Sequence, residues 1–155
     1  MSDFPKDIYT EPQDIDVNTL NNLGPLAAMA GIWQGTRGLD VKPKAEGAKK
    51  QVYVERIELQ PIDPQTNGPQ LLYGLRYHTH ITKPDQVKTY HDQVGYWLWE
   101  PATGTIMHTI AIPRGQIVMA VGHAAADATE FELVATNTDV SFGIRSAPFL
   151  EHAFK

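Results

Sequence analysis

Between Gly31 and Ile144 apolar and polar residues alternate with a period of two, and only turns and loops interrupt them. That spacing puts successive side chains on opposite faces of an extended chain, so it specifies strands half-buried on one face. Residues 31–40 form a first strand, and 41–50 form a loop rich in Lys, Gly and Pro. Gln51–Gln60 alternates through Val52, Val54, Ile57 and Leu59, with a shift of phase at Glu55-Arg56 that suits a bulge. Residues 61–69 read as a long turn, with Asn67-Gly68 its strongest signal. Leu71–Ile81 places Tyr73, Leu75 and Tyr77 on one face, with Arg76, His78 and His80 on the other. Val87–Glu100 places His91, Gln93, Gly95, Trp97 and Trp99 opposite Val94, Tyr96 and Leu98. Thr105–Ile112 and Gln116–His123 flank the turn Pro113-Arg114-Gly115, and Thr129–Thr136 with Val140–Ile144 reads as a further hairpin.

About eight strands joined by short connections, with no helical crossover, make an antiparallel meander. The fold class is therefore all-β, an up-and-down β-barrel of the calycin type with room for one small ligand. Residues 1–19, with Pro5 and Pro12 and no period, form an extended arm, and 20–155 form one barrel domain. Leu20, Leu23, Leu26, Ala27 and Ala30 recur at helical spacing, with Pro25 suited to the first turn and Gly31 to the end. This short helix plugs one end of the barrel. The C-terminal run Phe149–Lys155 reads as the middle of a strand, as though the last strands were missing. An unclosed edge invites pairing with a second copy, hence a homodimer.

A net charge of −5 excludes a general nucleic-acid binder, which needs clustered Lys and Arg. Lys42, Lys44, Lys49 and Lys50 read as a solvated loop. The absence of cysteine removes disulfides, thiolate metal sites and Cys nucleophiles. No apolar leader and no run of membrane-spanning length occur, which points to a soluble cytoplasmic protein with no membrane partner.

The six histidines carry most of the potential chemistry. His78 and His80 share one strand face, the spacing of a metal-ligand pair that a neighbouring strand could complete. Residues 74–80 resemble half of a cupin motif, without the Glu that should follow. No serine has a Gly-x-Ser-x-Gly context, Glu55 and Glu58 face opposite sides, and no phosphate loop is present. Trp33, between Gly31 and Gly35, is a packing device that lets a large ring fill space beside a bendable backbone. Met107 and Met119, with the isoleucines of the central hairpin, supply apolar residues for a pocket wall or a filled core.

Gly31-Ile32-Trp33-Gln34-Gly35, together with Tyr90-His91-Asp92-Gln93-Val94-Gly95-Tyr96-Trp97, then Gly104, Thr109–Ile112, Gly115 and Met119–Gly122, resembles the nitrobindin-like haem-binding barrels. These are relatives in shape of the fatty-acid-binding proteins. The resemblance implies a barrel of about ten strands holding haem b through one His, with nitric oxide binding or isomerisation of peroxynitrite to nitrate at ferric haem. The candidate iron ligands are His152, His91, His108 and His123, and none carries the family's C-terminal ligand motif. Gly31, Gly35, Trp33, Tyr96, Trp97, Met107 and Met119 become pocket or barrel-closing residues. The motif usually reads Gly-x-Trp-x-Gly-x-Gly, but here Arg37 holds the last position and the glycine is Gly38. The alternatives are a non-enzymatic carrier of a small apolar ligand such as a fatty acid, a barrel enzyme with a metal at His78 and His80, or a shortened form that no longer binds haem.

Overall fold

The computed structural model describes residues 7–139 and 141–153. Seven strands form one antiparallel sheet in chain order: β1 (Gly31–Lys42), β2 (Lys49–Asn67), β3 (Gln70–Thr82), β4 (Thr89–Glu100), β5 (Thr105–Ile112), β6 (Gln116–His123) and β7 (Gly143–Ser146). The meander is the expected one. Among the described residues β1 and β7 do not pair, so the sheet is not closed into a barrel.

Partners across an antiparallel ladder share a face. One row runs Gly31, Leu59, Tyr77, Gly95, Ile110, Val118 and Ile144 across all seven strands. That row belongs to the core face, here called the concave face, which carries the buried Leu59, Tyr73, Leu75, Tyr77, Trp99 and Ile106. Leu23 and Leu26 cover its lower end, and both are fully buried. Each such side chain contributes about 1.5–3 kcal/mol relative to exposure.

The covering segment is not one helix. α1 (Thr19–Asn22) is capped by Asn18, whose side chain accepts from the Asn21 amide. A 3-10 turn over Gly24–Met29 follows, with Pro25 in its first positions. Gly24 separates the two: its φ is +52°, and a Cβ there would lie 2.6 Å from the Trp99 ring. Leu20 is left half-exposed. The arm from Asp7 onward lies on the β2–β3 hairpin, where Tyr73 Oη donates to Asp16 O at 2.9 Å and Thr19 Oγ1 to Ile62 O at 2.6 Å.

Several expectations are corrected. The bulge lies in β1, where Thr36 and Arg37 oppose Val54 alone, and not at Glu55-Arg56 of β2. It also explains the displaced glycine. The extra residue moves the third glycine to Gly38, where the Tyr53 ring occupies the space a Cβ would need. β2 runs on through the supposed turn to Asn67. Pro61 lies beyond the last β1 partner, and Pro64 lies inside a second register shift, the two settings in which a strand tolerates proline. The Thr129–Thr136 strand is absent apart from one bridge, Val134 to Val121. Gly122 lets this irregular segment cross it, because a Cβ would fall 2.0 Å from Glu132 O. Val140 lies outside the described residues, and the last strand is Gly143–Ser146. The C-terminal run is a helix, α2 (Pro148–Ala153), begun by a proline that suits a first helical turn. Ala124–Ala128 and Pro101–Gly104 are turns or loops.

Gly95 and Gly35 give a paired test of the sheet. A Cβ on Gly95 would meet Thr109 O at 1.8 Å, whereas one on Gly35 has nothing within 4 Å. Gly95→Ala is expected to cost about 1–3 kcal/mol and Gly35→Ala less than about 0.5 kcal/mol in urea denaturation. Equal effects would contradict this packing.

Candidate functional site

The concave faces of β3, β4 and β5 carry a line of polar groups among aromatic rings. His91 Nε2 lies 3.0 Å from Gln93 Oε1, and Gln93 Nε2 donates to Tyr77 Oη at 3.1 Å. An amide oxygen only accepts, so His91 Nε2 donates to Gln93 Oε1. Burial pushes the Tyr77 hydroxyl up to about 12, against the opposing pull of Gln93. It therefore stays protonated at neutral pH.

His108 stands beside this line. Its ring stacks on Trp97 at 3.7 Å with an interplanar angle of 12°, and the Tyr77 ring is 5.0 Å away. Phe131, from the crossing segment, meets Trp97 edge-on at 6.3 Å. His108 Nε2 is buried without a hydrogen-bond partner, and burial lowers the imidazole to about 4. The ring is thus held neutral, the form in which imidazole binds a metal.

Among the described residues, three cavities border the sheet. One of about 740 Å³ opens at the upper end of the concave face and is lined by Tyr53, Ile81 and His91, with a rim of Lys and Arg. A larger one, about 1010 Å³, lies mostly against the opposite, convex face, over Val94, Tyr96, Ile117, Met119 and Phe142 with Arg76 and Arg145. The third, about 590 Å³, lies at the base between Trp33, the 3-10 turn and residues 126–131. The largest cavity contains none of the four candidate iron ligands. His91 is the one of the four that lines any of the three.

The structure separates the residues singled out from sequence. Trp97, His91 and His108 share the concave face. Trp33 lies on the same face at the base, half-exposed, with Nε1 donating to Met29 O at 2.8 Å. Gly31 takes a φ of +132° at the entry to β1, and Gly35 has open space around it. Tyr96, Met107 and Met119 are on the convex face, so the hairpin sends Ile106, Ile110 and Val118 to the core instead. His123 and His152 are exposed, at the end of β6 and in the last turn of α2. His78 and His80 do share a face, but each Nε2 is engaged, with Asp92 Oδ2 at 2.9 Å and Thr89 Oγ1 at 3.0 Å. Among the described residues no group of three His, Asp or Glu side chains could hold a metal ion. Lys83 and Lys88 escaped the sequence reading, and Tyr90, Gln93 and Arg114 entered it only as members of a motif or a turn, with no role at a site. Their common setting comes from strand pairing.

A family model described as the THAP4-like, heme-binding beta-barrel domain matches residues 22–151. No curated protein and no solved structure matches the chain.

The buried His108 sets a pH dependence. The unfolded chain takes up this proton near 6.5 and the folded chain only near 4. The contribution of neutral His108 is therefore complete above pH 6.5 and lost progressively as pH falls towards 4. His108→Phe keeps the stacking and removes the unpartnered nitrogen. It is expected to stabilise the protein by about 1 kcal/mol at pH 7, with its advantage over wild type widening as pH falls to 5. Denaturant melts at the two pH values measure both effects.

Proposed function

The chain belongs to the THAP4-like, haem-binding β-barrel domain family, which is nitrobindin-like, and from that premise we propose that it holds haem b at the open end of the concave face, with His91 as the iron ligand. The observation that carries this choice is the setting of His91: it lines the cavity while Gln93 holds its other nitrogen. Metal-binding histidines are oriented in that way by an acceptor on the distal ring atom. The cavity volume lies within the roughly 300–1,000 Å³ of small-molecule sites.

When bound, haem b supplies the iron chemistry that the nitrobindin-like resemblance implies, binding nitric oxide and converting peroxynitrite to nitrate. The chain's own residues do three things. Gln93 fixes the His91 ring and its tautomer. Tyr77, protonated at neutral pH, anchors Gln93 without adding a charge. Ile81, Tyr53 and Tyr90 line the same cavity and would present apolar and aromatic surface to a bound porphyrin.

Titrating the protein with haemin should give a sharpened, shifted Soret band at about one equivalent, and His91→Ala should abolish the shift. A spectrum identical to free haemin rejects haem binding. Loss of the shift in His108→Ala, His123→Ala or His152→Ala, with His91→Ala unaffected, moves the ligand elsewhere. Faster decay of peroxynitrite with nitrate as product, in the loaded protein only, tests the isomerase activity.

A second reading rests on the convex-face cavity, whose apolar floor is flanked by Arg76 and Arg145. That arrangement suits a carrier of an apolar ligand with one carboxylate. Displacement of a fluorescent fatty acid, weakened by Met119→Glu, supports it. No displacement at micromolar ligand rejects it.

A further inference from the structure

We infer that the rim of the concave-face cavity recognises a pair of acid groups on the ligand, and so selects a dicarboxylic porphyrin over its neutral ester. This rests on the haem reading above and assigns residues to the other end of the same ligand.

Five cationic side chains and one carboxylate line the cavity, in a chain whose net charge is −5. The cations come from separate parts of the chain. Lys42 ends β1 and Lys44 follows it, Lys83 and Lys88 belong to the β3–β4 connection, and Arg114 sits in the β5–β6 turn. Tyr90 gathers three of them. Lys42 Nζ donates to Tyr90 Oη at 3.1 Å and lies 4.9 Å from the ring centre. Lys83 Nζ is 5.9 Å from the same ring, and Arg114 Nη2 donates to Tyr90 O at 3.0 Å. The lone carboxylate, Asp40, accepts a short hydrogen bond from Tyr90 Oη.

Like charges brought to one concave mouth repel, and one carboxylate does not balance five cations. A ligand with two anionic groups offsets half of the excess, whereas a cation or an uncharged lipid offsets none of it. Nucleic acid requires an extended basic track, and here five of the chain's 13 Lys and Arg side chains gather at one small cleft of an acidic chain. Flexible lysines also suit carboxylates held at a variable distance, since an ammonium acts as a point charge without the fixed fork of arginine. The same cavity is lined by His91, Tyr53 and Ile81. An amphipathic ligand can therefore put its ring against these residues and its acid groups among the lysines.

The test compares haemin with haemin dimethyl ester, titrated into the protein in the same dilute detergent and followed by the Soret band. Wild type should bind haemin about tenfold more tightly than the ester, with the advantage shrinking as salt rises from 20 mM to roughly 0.3 M. Lys83→Gln/Lys88→Gln should bring the two ligands to within about twofold while leaving ester binding unchanged. Lys49→Gln/Lys50→Gln removes the same charge from residues that do not line the cavity, and should keep the wild-type ratio. Circular dichroism and thermal melts verify that both variants fold. Equal affinity of wild type for the two ligands overturns the inference and leaves haem binding intact. So does an equal loss of selectivity in both double variants, which would mark a general charge effect. No Soret shift with either ligand overturns this inference and the haem reading together.

Discussion

Leu23 and Leu26, pressed onto Trp99, Leu75 and Ile106, are the contact on which the rest of the structure depends. A single meander can bury only one face, and it needs another element to cover that face. Here the cover is short, a four-residue helix and one 3-10 segment. It closes only the lower end of the concave face. Its position is fixed by Gly24 against the Trp99 ring and by the Thr19 hydroxyl on Ile62 O. Among the described residues the upper end has no such plug, and that is where the cavity with His91 opens.

The polarity of the two ends follows from this asymmetry. Near the cover, the concave face is almost wholly apolar and fully buried. Moving up the strands, Tyr77, Gln93, His91 and His108 replace leucines and isoleucines. Polar groups in partly desolvated positions lower stability unless they are hydrogen-bonded, and His108 Nε2 is not. Such a group persists where it does something other than hold the fold together. Above them, the surface changes again, to a cationic rim in an otherwise acidic chain. Apolar floor, histidines and positive mouth form one gradient along the sheet, and the proposed haem, flat and acidic at one edge, would follow it.

Much of this was legible where burial follows alternation. β3 and β4 are central strands with neighbours on both sides, and their two faces came out residue for residue as the period of two requires. The reading failed where long-range contacts override local signals. Pro61 and Pro64 look like turn residues, but one lies past the end of β1 and the other in a register shift, so β2 continues through both. Thr129–Thr136 has strand-like composition, but the segment crosses Gly122 to set Phe131 on Trp97 and makes a single bridge. Met107 and Met119 are apolar residues on an apolar hairpin, and nothing local says which alternate set faces in. The displaced glycine of the first motif was visible as an anomaly, and its cause, a bulge opposite Val54, required the partner strand.

By itself, then, the chain determined most of its architecture: the central strands, their antiparallel order, and the family to which the Gly-Trp-Gly opening and the Tyr90–Trp97 strand belong. Those properties depend on neighbours along the chain, because turn chemistry and side-chain alternation act over a few residues. Tertiary structure alone assembled the candidate site. His91 differs from His123 and His152 only in what the other strands bring beside it, and Lys42, Lys83 and Arg114 meet only because three separate connections end at the same edge of the sheet. Electrostatic and packing energies depend on distance in space, and a folded sheet makes that distance nearly independent of separation in sequence.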